Sequence, residues 1–263
     1  MPSYLENLFS LEGHLAVVTG GTRGIGQSMA LALAGAGADV ILVQRDGASE
    51  ETKQKIEALG RKAFVYTADM GAQEQVEGLA KRILDDGHDP DILVTSAGIQ
   101  RRHPAHEFPM SDWNDVLQVN LTAVWTLNRD FGAHFLTRRA AAGTGRRGAI
   151  VNVASLASFQ GGLNVPAYAA AKGGVAQLTK ALSNQWAAAG VHVNAVAPGY
   201  VATDMNAALL RDPARRAAIL ERISAARWGE PADFDGAVVF LAGPACRYVS
   251  GEILTVDGGW MGR

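Results

Sequence analysis

Seven short runs of aliphatic and β-branched residues, at 15–18, 40–43, 64–66, 92–94, 150–153, 191–196 and 253–256, recur along the chain with helically spaced stretches between them. Each run reads as a strand buried on both faces. Between them, Ile25, Met29 and Leu33, then Ile56 and Leu59, then Val76, Leu79 and Ile83, trace apolar stripes of helices. The connections are too long for hairpins, so consecutive strands must be joined by right-handed crossovers. The expected architecture is α/β: one doubly wound parallel sheet with helices on both faces. No linker, repeat or low-complexity tract divides residues 1–263, and a single domain is expected. One long helix is predicted over about 111–139 and another over about 167–189. The small, basic stretch 140–148, with Arg146 and Arg147, reads as an exposed helix-to-strand loop. Residues 206–227 are rich in Ala and Arg and lack a strand pattern; with their approach they form an expected substrate lid at 203–227.

A formal net charge of −2 offers no basic field for nucleic acid or for an anionic membrane surface, which leaves a small molecule as the expected partner. Cys246 is the only cysteine, so neither an internal disulfide nor a cysteine metal cluster can form. The first 14 residues carry two glutamates and no long apolar run, and nowhere do 18 uncharged apolar residues follow one another. A cytoplasmic, unanchored protein is expected.

Thr19-Gly20-Gly21-Thr22-Arg23-Gly24-Ile25-Gly26 follows the first predicted strand and opens the first long helix. A pyrophosphate at that point would meet free helix N–H groups and the positive end of the helix dipole, while Gly20, Gly24 and Gly26 permit close backbone approach. A bare strand-to-helix bend is the simpler reading of such glycines. The context of strand, turn and helix at the chain start favours a dinucleotide site in a Rossmann-type sheet. The second strand ends in Val43-Gln44-Arg45-Asp46. An acid there selects the free ribose hydroxyl and a base selects a 2′-phosphate. Gln44 occupies the usual acid position, and Arg45 and Arg23 are available for a phosphate, which favours NADP(H) and leaves NAD(H) open. In the opposing reading Arg45 is solvated and Asp46 takes the ribose. Asp69, beside Met70 after the third strand, either bonds the adenine amino group or caps the next helix.

Tyr168 and Lys172 lie four apart and share one helical face. An ammonium beside a phenol stabilises the phenolate and lets the tyrosine exchange a proton with a substrate oxygen near neutral pH. Ser155 follows the fifth strand, at the carboxyl edge of the sheet, where it can bond a substrate carbonyl or cap a helix. Each feature alone is weak. Their order is not: the glycine-rich turn, Ser96-Ala97-Gly98, Asn120, Ser155, Tyr168-x-x-x-Lys172 and Pro198-Gly199 together resemble the short-chain dehydrogenase/reductase family over Leu11 to Trp260.

That resemblance implies that Tyr168 is the acid–base, that Lys172 lowers its pKa and holds the nicotinamide ribose, that Ser155 polarises the carbonyl, and that Asn120 holds a relay water. It further implies cofactor contacts at Thr22, Ile25, Ala97, Gly98, Pro198, Gly199, Val201 and Thr203, and a homotetramer. The family usually has Asn-Asn-Ala-Gly after the fourth strand, whereas this chain has Thr95-Ser96-Ala97-Gly98. A structural asparagine bond to the sheet is thereby lost, and Thr95 and Ser96 can offer hydroxyls instead.

Within the family, the runs Leu8-Phe9-Ser10-Leu11-Glu12-Gly13, Gly98-Ile99-Gln100-Arg101-Arg102, Ser158-Phe159-Gln160-Gly161-Gly162, Val165-Pro166-Ala167-Tyr168 and Val256-Asp257-Gly258-Gly259-Trp260 are similar to the branch of 2-deoxy-D-gluconate 3-dehydrogenases and 2-dehydro-3-deoxy-D-gluconate 5-dehydrogenases. A sugar acid carries a carboxylate that Arg101 or Arg102 could bind bidentately, and Gln160 could read a hydroxyl. The alternatives are a solvated arginine pair or a subunit contact. His103 and His106 lack a third clustered ligand for a metal. Trp260 is placed at a subunit contact. The competing functions are a reductase of a hydrophobic ketone or 3-oxoacyl thioester on the same scaffold, and a non-catalytic dinucleotide sensor.

Overall fold

A computed structural model describes residues 3–141 and 145–263. Its seven strands are β1 (Leu15–Thr19), β2 (Asp39–Gln44), β3 (Ala63–Thr67), β4 (Ile92–Thr95), β5 (Gly148–Val153), β6 (Val191–Pro198) and β7 (Ile253–Val256). All pair in parallel in the order β3-β2-β1-β4-β5-β6-β7. The order reverses between β1 and β4, which opens a crevice at their carboxyl ends. The eleven α-helices among the described residues are α1 (Tyr4–Phe9), α2 (Gly24–Gly35), α3 (Glu51–Ala58), α4 (Gln73–Glu77), α5 (Leu79–Asp85), α6 (Met110–Leu117), α7 (Ala123–Thr137), α8 (Pro166–Trp186), α9 (Ala207–Arg211), α10 (Pro213–Arg222) and α11 (Asp235–Ala242). None is long and apolar enough to cross a membrane.

The two faces of the sheet follow from strand alternation. Ala16, Val18, Val40, Leu42 and Val94 pack with Met29 and Leu33 of α2 and with Val238 and Leu241 of α11. Their neighbours Val17, Ile41, Val43 and Leu93 turn to the other face, against Leu79, Ile83, Leu127, Phe131 and Phe135. Each strand thus serves two cores, and for that reason it reads as a continuous apolar run.

The long helix expected over 111–139 is interrupted. Between α6 and α7 the backbone widens to a π-turn over Gln118–Thr122, with the amide of Ala123 bonded back to Gln118. Such bulges gather at functional positions, and Asn120 sits at the centre of this one. The second long helix is α8, finished by a 3-10 turn, Ala187–Ala189.

Residues 142–144 of the expected loop lie outside the described residues. Arg146 and Arg147, however, are not solvated. Arg146 donates to the carbonyls of Ala242 and Gly243 at 2.6 and 2.5 Å, and Arg147 to those of Leu136 and Arg138 at 2.7 and 2.9 Å. Their guanidinium forks satisfy chain-end carbonyls that would otherwise be left without donors.

Candidate active site

The glycine-rich turn joins β1 to α2. Gly20 adopts φ +68°, and a Cβ there would stand 2.8 Å from the backbone of Ala97. A Cβ on Gly26 would run into the Gly20 carbonyl. Both positions therefore require glycine for close approach, and Gly24 at the head of α2 is packed by Thr203. The N-cap of α2 is Arg23 in extended conformation, with no side chain bonded to the first turn, so the helix presents open N–H groups toward the crevice. Thr22 and Ile25 flank that opening, half-buried. Gly98 closes on the Asn120 side chain, and the Ala97 amide donates to the Thr19 hydroxyl at 3.2 Å.

At the end of β2, Gln44 is buried; its amide nitrogen donates to the Ser49 carbonyl at 3.1 Å, while its oxygen has no partner. An orphaned buried acceptor at the ribose end of a dinucleotide crevice fits a hydroxyl-bearing ligand. Arg45 is exposed, and the Asp46 carboxylate is engaged by the Ala48 amide at 3.0 Å. Arg23 reaches across to Asp204 at 3.2 Å, both side chains well exposed. The Asp69 carboxylate accepts from the Gly71 amide at 2.8 Å and so closes the turn ahead of α4, whose N-cap is Ala72. Met70 is buried beside it. On the opposite wall, Gly199 bonds to Val256 directly after Pro198, Val201 is buried, and Thr203 stands over Gly24. The residues present accept a nicotinamide dinucleotide along this line.

The catalytic candidates converge at the ends of β4 and β5. Ser155 caps the 3-10 turn Leu156–Ser158 through its hydroxyl, which accepts from the Ala157 amide at 3.1 Å, and it lies close enough to the Tyr168 phenol to act on its pKa. Of the two readings of this serine, the cap is the one the fold shows. Burial pushes the Tyr168 phenol above its ordinary pKa, and the Ser155 hydrogen bond and the Arg102 charge draw it part of the way back. Lys172, one turn along α8, has its ammonium 5.8 Å from the Tyr168 ring centre and donates to the Val153 carbonyl at 2.6 Å. Burial alone pulls it down from 10.5 to about 8. The Asn120 amide donates to the carbonyls of Ile99 and Val116, both at 2.9 Å, and its oxygen accepts from the Ile99 amide at 3.1 Å. One amide hydrogen anchors the loop after β4 to the π-turn and the other is used on Val116 of α6.

The loop after β4 separates the two arginines. In an extended segment alternate side chains point opposite ways. Arg101 and His103 both turn to Asp112 of α6, at 3.7 and 2.6 Å, and the His103 amide donates to the Asn164 carbonyl at 3.1 Å. Arg102 takes the other side, held by Gln100 at 2.6 Å, within electrostatic reach of Tyr168, Tyr200 and Arg215. Gln160 is half-buried in the loop after Ser158. Asn164, with φ +64°, turns the chain into α8.

Three residues were not singled out from the sequence. Gln100 and Asp112 sort the arginines. Asn152, in mid-strand, bonds Thr95 at 2.7 Å, Asn128 at 2.9 and 3.1 Å and Thr179 at 3.1 Å, tying β4, β5, α7 and α8 together under the site. Thr95 thus does supply the hydroxyl expected of it. A lone asparagine in the apolar run Ile150-Val151-Asn152-Val153 was the available signal, because a buried amide demands partners. Trp260, expected at a subunit contact, is buried within the chain. It packs 4.7 Å from Tyr200 between ring centres, with Arg222 stacked 4.2 Å over it, in a cluster with Leu156, Leu209, Ile219, Ile223 and Trp228.

A parallel sheet reversing at β1/β4, an uncapped glycine-rich helix start, and a Tyr–Lys pair beside a serine at the sheet's carboxyl edge define a nicotinamide-dependent oxidoreductase scaffold. The sequence model of the short chain dehydrogenase family matches residues 14–214, and the chain belongs to that family. It is similar to 2-dehydro-3-deoxy-D-gluconate 5-dehydrogenase of Pseudoalteromonas atlantica, 48% identical over 97% of this chain and 98% of the relative. The enzyme of the same name from Bacillus subtilis is 46% identical over 99% of both chains. Among solved structures, a gluconate 5-dehydrogenase from Burkholderia cenocepacia in complex with NADP and tartrate superposes with a TM-score of 0.92. It is 34% identical over 99% of this chain and 100% of that one.

Proposed function

We propose that this chain is an NADP(H)-dependent oxidoreductase that interconverts a ketone and a secondary alcohol on a sugar acid of the 2-dehydro-3-deoxy-gluconate type. The observation that carries the reading is Arg102. It is an exposed guanidinium within electrostatic reach of the Tyr168 phenol, held by a neutral amide and paired with no carboxylate among the described residues. An unpaired arginine next to an acid–base group suits an anionic substrate and would be a liability toward a purely apolar one.

Gly20, Thr22, Gly24, Ile25 and Gly26 would hold the pyrophosphate, Gln44 and Arg45 the adenosine ribose and its 2′-phosphate, Asp69 and Met70 the adenine edge, and Ala97, Gly98, Pro198, Gly199, Val201 and Thr203 the nicotinamide half. NADP(H) is favoured over NAD(H) because Arg45 is free of an acidic partner while Asp46 is occupied by its own turn. When bound, the nicotinamide supplies or accepts the hydride. In the reducing direction the Tyr168 hydroxyl gives its proton to the substrate oxygen as that oxygen gains negative charge. Ser155 donates a hydrogen bond to the same oxygen, and the Lys172 ammonium stabilises the phenolate left behind. Because the Asn120 side-chain hydrogens are spent on Ile99 and Val116, a relay water would be held by its backbone in the π-turn. Arg23, paired with Asp204, ties the cofactor turn to the segment 203–227, which acts as the lid. The protein is cytoplasmic and a homotetramer in this reading, the latter checked by sedimentation.

The test follows nicotinamide absorbance with purified protein, offering NADPH and NADH against a keto-sugar acid and a neutral ketone of equal carbon number. A higher kcat/KM for the acid with NADPH supports the proposal. A preference for the neutral ketone removes the substrate class and leaves the family chemistry standing.

A further inference from the structure

Strand β5 ends at Val153, and the Ala154 amide makes the last bond across the sheet, to the Val196 carbonyl at 2.8 Å. Ser155 steps off the ladder with extended backbone, and its amide needs another acceptor. It finds the Ser158 hydroxyl, three residues on, at 3.3 Å. That hydroxyl in turn donates to the Lys172 carbonyl of α8 at 2.6 Å. A hydroxyl carries one proton and two lone pairs, so Ser158 makes both bonds at once.

Lys172 therefore holds the segment on both sides of Ser155. Its ammonium donates to the Val153 carbonyl and its own carbonyl accepts from Ser158, each at 2.6 Å. The two anchors differ in kind. The ammonium is a titratable side-chain end that must also serve the Tyr168 phenolate. The carbonyl belongs to the helix backbone, and the bond it accepts does not depend on what the ammonium does. Packing of the turn is supplied elsewhere: Leu156 is buried in the cluster with Trp228 and Trp260, whereas Ser158 is half-buried and Phe159 is exposed.

We propose that Ser158 is a positioning residue: by bridging the Ser155 amide and the Lys172 carbonyl, its hydroxyl sets where the Ser155 side chain stands relative to Tyr168 and Lys172 on α8. This rests on the catalytic reading of Ser155 and Tyr168 given above and deepens it. Ser158 itself touches neither substrate nor cofactor. Without its hydroxyl the Ser155 amide loses its acceptor, the turn is held to α8 only through Val153, and the serine meets the substrate oxygen in the productive place for part of the time.

The experiment measures kcat and KM, with NADPH saturating and on whichever of the keto acid and the neutral ketone the wild type turns over, for Ser158→Ala, Ser158→Cys, Ser158→Thr, Ser155→Ala and the double variant Ser155→Ala/Ser158→Ala. Ser183→Ala, which removes a side-chain bond to Ser250 of 2.7 Å near the other end of α8, is the control. Small misplacements of a reacting group are costly, so Ser158→Ala is expected to lower kcat by about 10- to 100-fold with KM nearly unchanged. Ser158→Thr keeps the hydroxyl and most of kcat, Ser158→Cys, a weaker donor, falls between, and Ser183→Ala behaves as wild type. Because Ser158 acts through Ser155, its removal adds little in the Ser155→Ala background. In cofactor-free protein the Ser155 amide exchanges with deuterium about 10-fold faster in Ser158→Ala than in Ser158→Thr. Wild-type kcat in Ser158→Ala, a loss that multiplies with that of Ser155→Ala, unchanged exchange, or a loss that a urea melt accounts for by unfolding overturns the proposal. Full turnover in Ser155→Ala would instead remove the catalytic reading of the site on which the proposal stands.

Discussion

The floor and the rim of the site are built on opposite terms. On the floor, Asn120, Asn128, Asn152, Thr179 and Lys172 are all nearly inaccessible, and their polar atoms meet one another or backbone carbonyls at hydrogen-bond distance. On the rim, Arg45 and Arg102 have no acidic partner among the described residues, and Arg23 has only an exposed aspartate. A satisfied buried network is rigid and holds geometry. Exposed charge without a fixed acidic partner is free to meet an anionic ligand. In the proposed function chemistry belongs to the floor and selection to the rim, so substitutions in the two regions should fail in different ways.

The sharpest break is expected at Tyr168→Phe. Removing the phenolic proton should reduce kcat by about 10²- to 10⁴-fold. Cofactor affinity, read by fluorescence titration, stays close to wild type. A variant retaining full turnover would move the acid–base elsewhere. Next, Asn152→Ala should lower stability by about 2–4 kcal/mol, because Thr95, Asn128 and Thr179 lose partners in a dry interior. A urea melt checks this, and the ratio of acid to neutral activity in the surviving folded protein should not move. On the rim, Arg45→Ala should raise KM for NADPH by about 10- to 100-fold while NADH is unaffected and the melt is unchanged. An equal loss with both cofactors would make Arg45 a general anion contact.

The smallest effect is one of pH. The folded pKa of Lys172, about 8, lies below its unfolded 10.5. Between these values the unfolded chain binds more protons, so this group makes the fold gain stability as pH rises through about 8 to 10.5. Lys172→Met should flatten that rise in cofactor-free protein. Its persistence in the variant would assign the slope to another group.

The strands were legible because they are buried on both sides and so advertise themselves as unbroken apolar runs, whereas each correction arose where local pattern and tertiary contact diverge. The π-turn at Asn120 leaves helical spacing intact on either side, and only the shifted hydrogen bond to Gln118 betrays it. Arg101 and Arg102 are adjacent and chemically identical, and what separates them is Asp112 on a later helix. Trp260, near the end of the chain and expected at a subunit contact, is instead covered by the aromatic and aliphatic residues of 200–228. Arg146 and Arg147 appeared solvated in a small-residue loop, but distant carbonyls claim them.

Measuring kcat/KM for the keto acid and for the matched neutral ketone in Arg102→Gln and Arg101→Gln, side by side, tests the separation most directly. The account predicts that Arg102→Gln abolishes the preference for the acid, while Arg101→Gln, which faces Asp112, keeps most of it. Loss of the preference in Arg101→Gln with Arg102→Gln unaffected would contradict it.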